Sequence, residues 1–209
     1  MDIVRTAKKR KGVFIMMRKE QELLFEKCRT YRRFLQKPLP EGLLSHLVGI
    51  AHKRSCGRNG QVLSFYAAAS SKALAALLPH LHWAAALPKE IGTPQKGEEP
   101  VALIFLVRPK DASPLSLVDA GIAVDAMAYC AMCEGVGSAI LAALDHAAIQ
   151  EILGLKKDQE ILLCLALGYP AHKSTVVPVP ESGKLDYYVD EKRDYFVPKK
   201  DLSDVMTVL

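Results

Sequence analysis

The chain has 209 residues, 50% of them hydrophobic and 24% charged, with a formal net charge of +5. Such a composition excludes a disordered or low-complexity chain and allows one sizeable core, so one domain with an appendage is expected rather than two. The charge is concentrated: residues 1–16 hold Arg5, Lys8, Lys9, Arg10 and Lys11 against Asp2 alone, and the rest is nearly neutral. Any nucleic-acid or anionic-membrane partner would therefore rest on that leader.

In chain order, the leader's apolar run Val13-Phe14-Ile15-Met16-Met17 is too short for the core of a secretory signal and lacks a small-residue cleavage site. Residues 1–16 read either as a disordered basic arm or as an upstream start ahead of a protein beginning at Met16 or Met17. Residues 17–209 read as a single domain. A helix is predicted over 17–28 from the spacing of Leu23, Leu24 and Cys28. Leu39-Pro40-Glu41 looks like the start of a second, ending near His52-Lys53, with Leu43, Leu44, Leu47, Val48, Ile50 and Ala51 on its buried side. A strand over 62–68, a short helix over 71–78 and a Pro/Gly-rich loop over 83–100 follow. The continuous apolar run 101–107 is that of a buried strand.

Ser113-Pro114 is placed to cap and open a long helix reaching about Glu134. Ala120, Gly121, Ala123, Ala126, Ala128 and Ala131 make it narrow enough for another backbone to approach, and its apolar character nearly all the way round predicts burial on most faces. Gly135-Val136-Gly137-Ser138 ends it. Asp145 caps a short helix that stops at Gly154, and 161–167 is a second buried strand. The tail over 186–198 reads as extended, anchored by Tyr187, Tyr188, Tyr195 and Phe196, and suits an arm laid over a partner.

The most apolar stretch, 115–133, is interrupted by Asp119 and Asp125, which argues against a membrane span. Five cysteines, odd in number and scattered, do not form a disulfide framework and predict a cytoplasmic location. Cys130 and Cys133 have redox-motif spacing but lie inside an apolar helix, and read as core thiols. The six histidines show no paired metal-ligand spacing beyond His80 and His82, and no Gly-x-Ser-x-Gly elbow occurs. Gly135-Val136-Gly137 follows a helix rather than a strand, unlike a dinucleotide-binding turn.

Two polar clusters carry chemistry. Arg29-Thr30-Tyr31-Arg32-Arg33-Phe34 gathers guanidinium groups and a hydroxyl at a helix end, a cradle for phosphate, although cations at a helix C-terminus are also favoured by its dipole. Arg58-Asn59-Gly60-Gln61 offers two amides that can read the polar edge of a planar ring, although Asn-Gly is also an ordinary turn signal.

The order of motifs adds to this. Arg29 through Phe34, Ser55 through Gln61, Glu134-Gly135-Val136-Gly137-Ser138, Leu167-Gly168-Tyr169-Pro170, Tyr187 through Glu191 and Val197-Pro198-Lys199-Lys200-Asp201-Leu202 together resemble the FMN-dependent nitroreductase family over 17–209. The resemblance implies an α+β fold with a mixed, mainly antiparallel central sheet flanked by helices. It also implies a homodimer with FMN at the interface and a C-terminal extension exchanged between subunits. By position, Arg29, Thr30, Tyr31 and Arg32 match the motif that holds the phosphate and the pyrimidine side of the ring, with Thr30 where Ser is usual. Asn59 and Gln61 match the loop supplied by the partner subunit. Ile140, Leu141, Ala142 and Ala143 match the backbone beside the reactive face, and Lys199 or Lys200 completes the phosphate site. Arg33 is read as a bystander, and Trp83 as either a cover for the flavin or a packing anchor. Cys28, the Arg54–Arg58 loop, Ala142 and Ala143 depart from the family pattern.

The function implied is reduction of nitroaromatic, quinone or related small acceptors by NAD(P)H, through two-electron ping-pong hydride transfer. The chemistry is the cofactor's, and no side chain is required as catalytic acid or base. Arg32 is the candidate for the positive charge near the ring's pyrimidine edge. Two alternatives accompany this reading: another reaction on the same scaffold (dehydrogenase, dehalogenase or flavin fragmentation), and a non-catalytic flavin-binding protein.

Overall fold

A computed structural model describes residues 18–209, and the basic leader lies outside the described residues. The first helix, α1, occupies 18–27. It is followed by the two-residue strand β1 (Phe34–Leu35) and α2 (Leu43–His52). The helix start expected at Leu39-Pro40-Glu41 lies four residues later. Gly42 takes a left-handed φ of 76°, which no residue inside an α-helix adopts, so the prolines before it form a turn, closed by Leu43 N–H on Pro40 C=O at 3.2 Å.

β2 (Ser64–Ala68), α3 (Ser71–Leu77), the short α4 (Lys89–Gly92) and β3 (Ala102–Pro109) come next. Ser70 caps α3 by accepting from Ala73 N–H. The long helix α5 (Leu115–Cys133) ends at Gly135, whose φ of 71° turns the chain into β4 (Gly137–Leu141). α6 (His146–Leu153) is capped by Asp145 and stopped by left-handed Gly154, and leads into the twelve-residue β5 (Gln159–Pro170).

β5 is the hub of the central sheet. It pairs antiparallel with β1, β3 and β4, while β2 pairs antiparallel with β3. A single parallel bridge, Thr30 to Ser138, adds the arginine segment beside β4. Alternate side chains of β3 explain its continuous apolar run. Ala102, Ile104 and Leu106 face a core built with α2 and α5, and Leu103, Phe105 and Val107 face a second core built with α3 and α6. Within α5, Ala120, Ala123, Ala128 and Ala131 lie on the buried side, whereas Leu117 and Val118 are exposed in the single chain. By length and composition α5 could cross a membrane, with mean hydropathy 1.5, but half of that window is buried within the fold.

The tail does not extend away from the chain up to Lys199. β6 (Ser174–Pro178) pairs parallel with β8 (Tyr195–Lys199), and β7 (Tyr188–Val189) pairs antiparallel with β8, making a second, three-stranded sheet. The arm expected over 186–198 is therefore a hairpin paired within its own chain. Beyond it, Leu202, Val205, Met206, Val208 and Leu209 are exposed.

Candidate functional site

The arginine segment is fixed from both ends. Cys28 N–H donates to Leu24 C=O at 2.8 Å and closes α1. The Tyr31 hydroxyl donates to Lys27 C=O at 2.9 Å, and Tyr31 N–H to Ser138 C=O at 2.8 Å. The chain then runs extended over two glycines from the downstream motifs. A Cβ on Gly137 would come within 2.6 Å of the Tyr31 ring and 2.7 Å of Pro170, and one on Gly168 within 2.8 Å of Phe34. Both glycines are small because the arginine segment lies on them.

This packing leaves a cavity of about 140 Å³ lined by Cys28, Arg29 and Thr30, by Asp125 and Ala128 of α5, and by Ser138 and Ile140 of β4. Arg29 Nε is buried with no hydrogen-bond partner among the described residues. A guanidinium-bearing residue lining a cavity with Thr30 and Ser138 is the donor set of an anion or polyol site, and it fits the phosphate-bearing side chain of a flavin. The cavity also holds the Asp125 carboxylate, which accepts from hydroxyl groups and repels phosphate. Burial, followed by Asp125, raises the pKa of Cys28, so its thiol lines the cavity in neutral form.

Arg32 turns elsewhere. Its guanidinium carbon lies 4.5 Å from the centre of the Tyr187 ring and 4.9 Å from that of Tyr195, in the second sheet. Its backbone N–H donates to His172 Nε2 at 2.9 Å, while His172 Nδ1 lies 2.8 Å from Lys173 C=O. This pairing requires the neutral ring with its proton on Nδ1. Burial lowers the His172 pKa to about 4, with Arg33 and Arg32 acting in the same direction.

Arg33 does not line the Arg29 cavity, and its contacts are structural. It is buried, donates to Arg193 C=O at 2.6 Å, and lies 3.5 Å from the Glu98 carboxylate. Arg193 binds the same carboxylate at 3.0 and 3.1 Å. Burial pushes the Glu98 pKa up, but the Gln95 N–H and the two guanidinium groups outweigh it and hold the carboxyl below its usual range.

The remaining expected residues are dispersed in the single chain. Arg58, Asn59 and Gln61 all take left-handed φ, at 53°, 53° and 47°, while Gly60 takes an ordinary −69°. Asn59 is exposed, and Gln61 lines a different, small cavity with Arg54, Cys56 and Asp119. Leu141 is buried, Ile140 is 43% exposed at the mouth of the Arg29 cavity, and Ala142 and Ala143 are exposed. Lys199 and Lys200 are exposed at the end of β8. Trp83 packs against two core clusters and lines a separate cavity of about 650 Å³ with His82, Leu87 and Lys89. Sequence reasoning missed Asp119, Asp125, Ser138 and His172. Asp119 and Asp125 had a signal, as carboxylates in an otherwise apolar helix.

No curated protein matches the chain in sequence. Among solved structures, it is similar to an FMN and NADPH-dependent nitroreductase variant from Sphigopyxis sp. strain HMH, with TM-score 0.66 and 16% identity, covering 90% of this chain and 98% of the other. It is also similar to a nitroreductase family protein from Clostridium difficile 630, with TM-score 0.63 and 18% identity, covering 88% and 95%. A third similar structure is a putative NADH dehydrogenase/NAD(P)H nitroreductase from Bacteroides thetaiotaomicron, with TM-score 0.61 and 16% identity, covering 75% and 89%. These likenesses carry the fold. The sequence model of the nitroreductase family matches residues 26–169, from the end of α1 through nearly all of β5. The chain belongs to the nitroreductase family.

Proposed function

We propose that the chain is an FMN-dependent oxidoreductase that takes a hydride from NAD(P)H and reduces a small acceptor, a nitroaromatic or a quinone, by two electrons. The observation that carries this reading is the cavity that Arg29 lines together with Thr30 and Ser138. This is the place the family motif assigns to the cofactor's side chain. The similar structures described as FMN-dependent, from Sphigopyxis and from Clostridium difficile R20291, add support.

FMN, when bound, supplies the hydride chemistry. Arg29, Thr30 and Ser138, which line the cavity, would bind and orient it. Asp125 accepts from the hydroxylated chain between phosphate and ring. The cavity of about 140 Å³ is too small for a tricyclic ring, so Ile140 and the backbone of 140–143 would hold the ring outside it. Arg32 acts through the segment's conformation, with its charge stacked on Tyr187 and Tyr195.

The site is completed by a second copy. In one chain Gln61 lines another cavity and Asn59 faces solvent, so a homodimer brings these amides to the partner's ring. The exposed apolar tail after Lys199 and the exposed Leu117 and Val118 of α5 are surfaces for that contact. The free, scattered thiols fit a reducing cytoplasm.

Purified protein is expected to bind FMN with quenching of flavin fluorescence and, without oxygen, to oxidise NADH or NADPH only when a nitroaromatic or quinone is added. A protein that takes up no FMN overturns the reading. Arg29→Ala should weaken FMN at least about tenfold, the loss of a charge-assisted hydrogen bond. Unchanged affinity would put the cofactor elsewhere.

A further inference from the structure

We infer that Asp119 is a positioning residue for the cofactor, clamping the backbone of Gly57 so that the left-handed Arg58–Gln61 loop keeps the shape that offers Asn59 and Gln61 to the flavin. The role of Asn59 and Gln61 in it rests on the function proposed above.

Asp119 is a 7% exposed carboxylate on α5, between apolar neighbours, and a charge in such a place needs a compensating partner. The partner is backbone: Gly57 N–H donates to Asp119 Oδ1 at 2.8 Å. Gly57 lies close on α5, since a Cβ there would already come within 3.3 Å of Leu115 Cβ. The loop is thus drawn down onto the helix at one point.

The residues after that point explain why a clamp is needed. Arg58, Asn59 and Gln61 have left-handed φ, a conformation disfavoured for side-chain-bearing residues, and the one glycine among them does not take it. Such a run persists only where the surroundings impose it. Two backbone bonds help, Asn59 N–H to Cys56 C=O at 3.1 Å and Gly60 N–H to Gly57 C=O at 2.9 Å. Both lie within the loop and leave it free to swing as a unit. Asp119 is the contact that ties Gly57 to the core helix. An ionised acceptor also strengthens the bond relative to a neutral one.

The test compares Asp119→Ala, Asp119→Asn and Asp119→Ala combined with Arg58→Gly, by FMN titration and by hydrogen exchange of amides 56–61 in protein without FMN. Asn keeps an oxygen acceptor for Gly57, Ala does not, and Gly at 58 takes a φ of 53° without strain. Asp119→Ala is expected to weaken FMN about tenfold and to speed exchange across 56–61 by a similar factor. Asp119→Asn should stay within about threefold of wild type, and Arg58→Gly should restore part of the lost affinity. Asp119→Ala binding FMN like wild type, or Asp119→Asn failing as badly as Ala with unchanged exchange at 56–61, would overturn the inference. A wild-type chain that binds no FMN overturns the functional reading and this role with it. In that case slow 56–61 exchange that is lost in Asp119→Ala would identify the functional reading, not the clamp, as the part that failed.

Discussion

At the scale of single residues, His172 does what no local pattern announces. Its Nε2 accepts the backbone N–H of Arg32, so the imidazole must stay neutral for the arginine segment to keep its path. Burial dominates and lowers its pKa from 6.5 to about 4; the Lys173 carbonyl and the Asp194 charge pull it up, and the Arg33 and Arg32 charges push it down. The sign follows: the folded state resists a proton that the unfolded state accepts. The stabilising contribution is present above pH 6.5, falls as pH drops and is exhausted near pH 4. Its full size is on the order of 3 kcal/mol. Denaturant unfolding at pH 7 and pH 4.5 should show this loss, and His172→Gln, which keeps an acceptor for Arg32, should lose less stability over the same interval. An equally steep loss in the variant would assign the acid sensitivity to other groups. Arg33 teaches the same lesson. Its main-chain partner, Arg193, is 160 positions away, so its charge could be read from sequence but its task could not.

At the scale of elements, what was legible is what local chemistry dictates. The cap at Asp145, the stop at Gly154 and the buried run of β3 appear where the sequence puts them, and α5 opens one residue later than expected, at Leu115, whose N–H donates to Ser113 Oγ at 3.4 Å. The arginine segment and the downstream glycine motifs were legible as an ordered set because they touch: Tyr31 rests on Gly137 and Phe34 on Gly168. β4 and β6 were not legible. Gly-Ser-Ala-Ile-Leu carries a weak strand signal, and Thr-Val-Val of β6 is strand-favouring but bounded by prolines; pairing with β5 and β8 makes them strands. The amide loop was legible as polar but not as left-handed at Arg58, Asn59 and Gln61, and its tie to Asp119 comes from a distant helix. The contact between Tyr31 and Gly137 gives a direct prediction. Gly137→Ala forces a methyl against the Tyr31 ring and Pro170, neither of which can yield without moving β5 or the arginine segment. A destabilisation of about 1–3 kcal/mol is expected. It should come with weaker FMN binding, because Thr30 and Ser138 sit on the displaced backbone. Gly121→Ala, inside α5 with nothing within 4 Å of its added Cβ, is the control and should not destabilise; the helix propensity of Ala should raise stability by about 0.5–1 kcal/mol.

At the scale of the whole molecule, two sheets must hold a fixed relation, because one carries the cavity proposed for the cofactor and the other carries Tyr195, which with Tyr187 receives Arg32. The joint is Glu98, on the long loop before β3. Its carbonyl accepts from Phe34 N–H at 2.9 Å, and its carboxylate binds Arg193 and Arg33. Arg33 in turn donates to the Arg193 carbonyl, so loop, arginine segment and second sheet meet at one carboxylate. Arg33 Nε and Arg193 Nε are already buried without partners, and removing Glu98 would leave two cations with little compensation. The side chains keep 10–23% exposure. The expected cost of Glu98→Ala is therefore about 2–4 kcal/mol, below the upper end for a fully buried pair. The depressed Glu98 pKa makes this contribution present above the ordinary carboxylate range and lost as pH falls through the folded-state value. The loss should be local before it is global, because β3, β4 and β5 are held by their own ladders and cores. Limited proteolysis of Glu98→Ala should cut first within 179–194, releasing β7 and β8 while the central sheet stays folded, and fluorescence from Tyr187 and Tyr195 should change with the first cut. Cleavage that begins instead in the central sheet would show that the two sheets are not joined at Glu98.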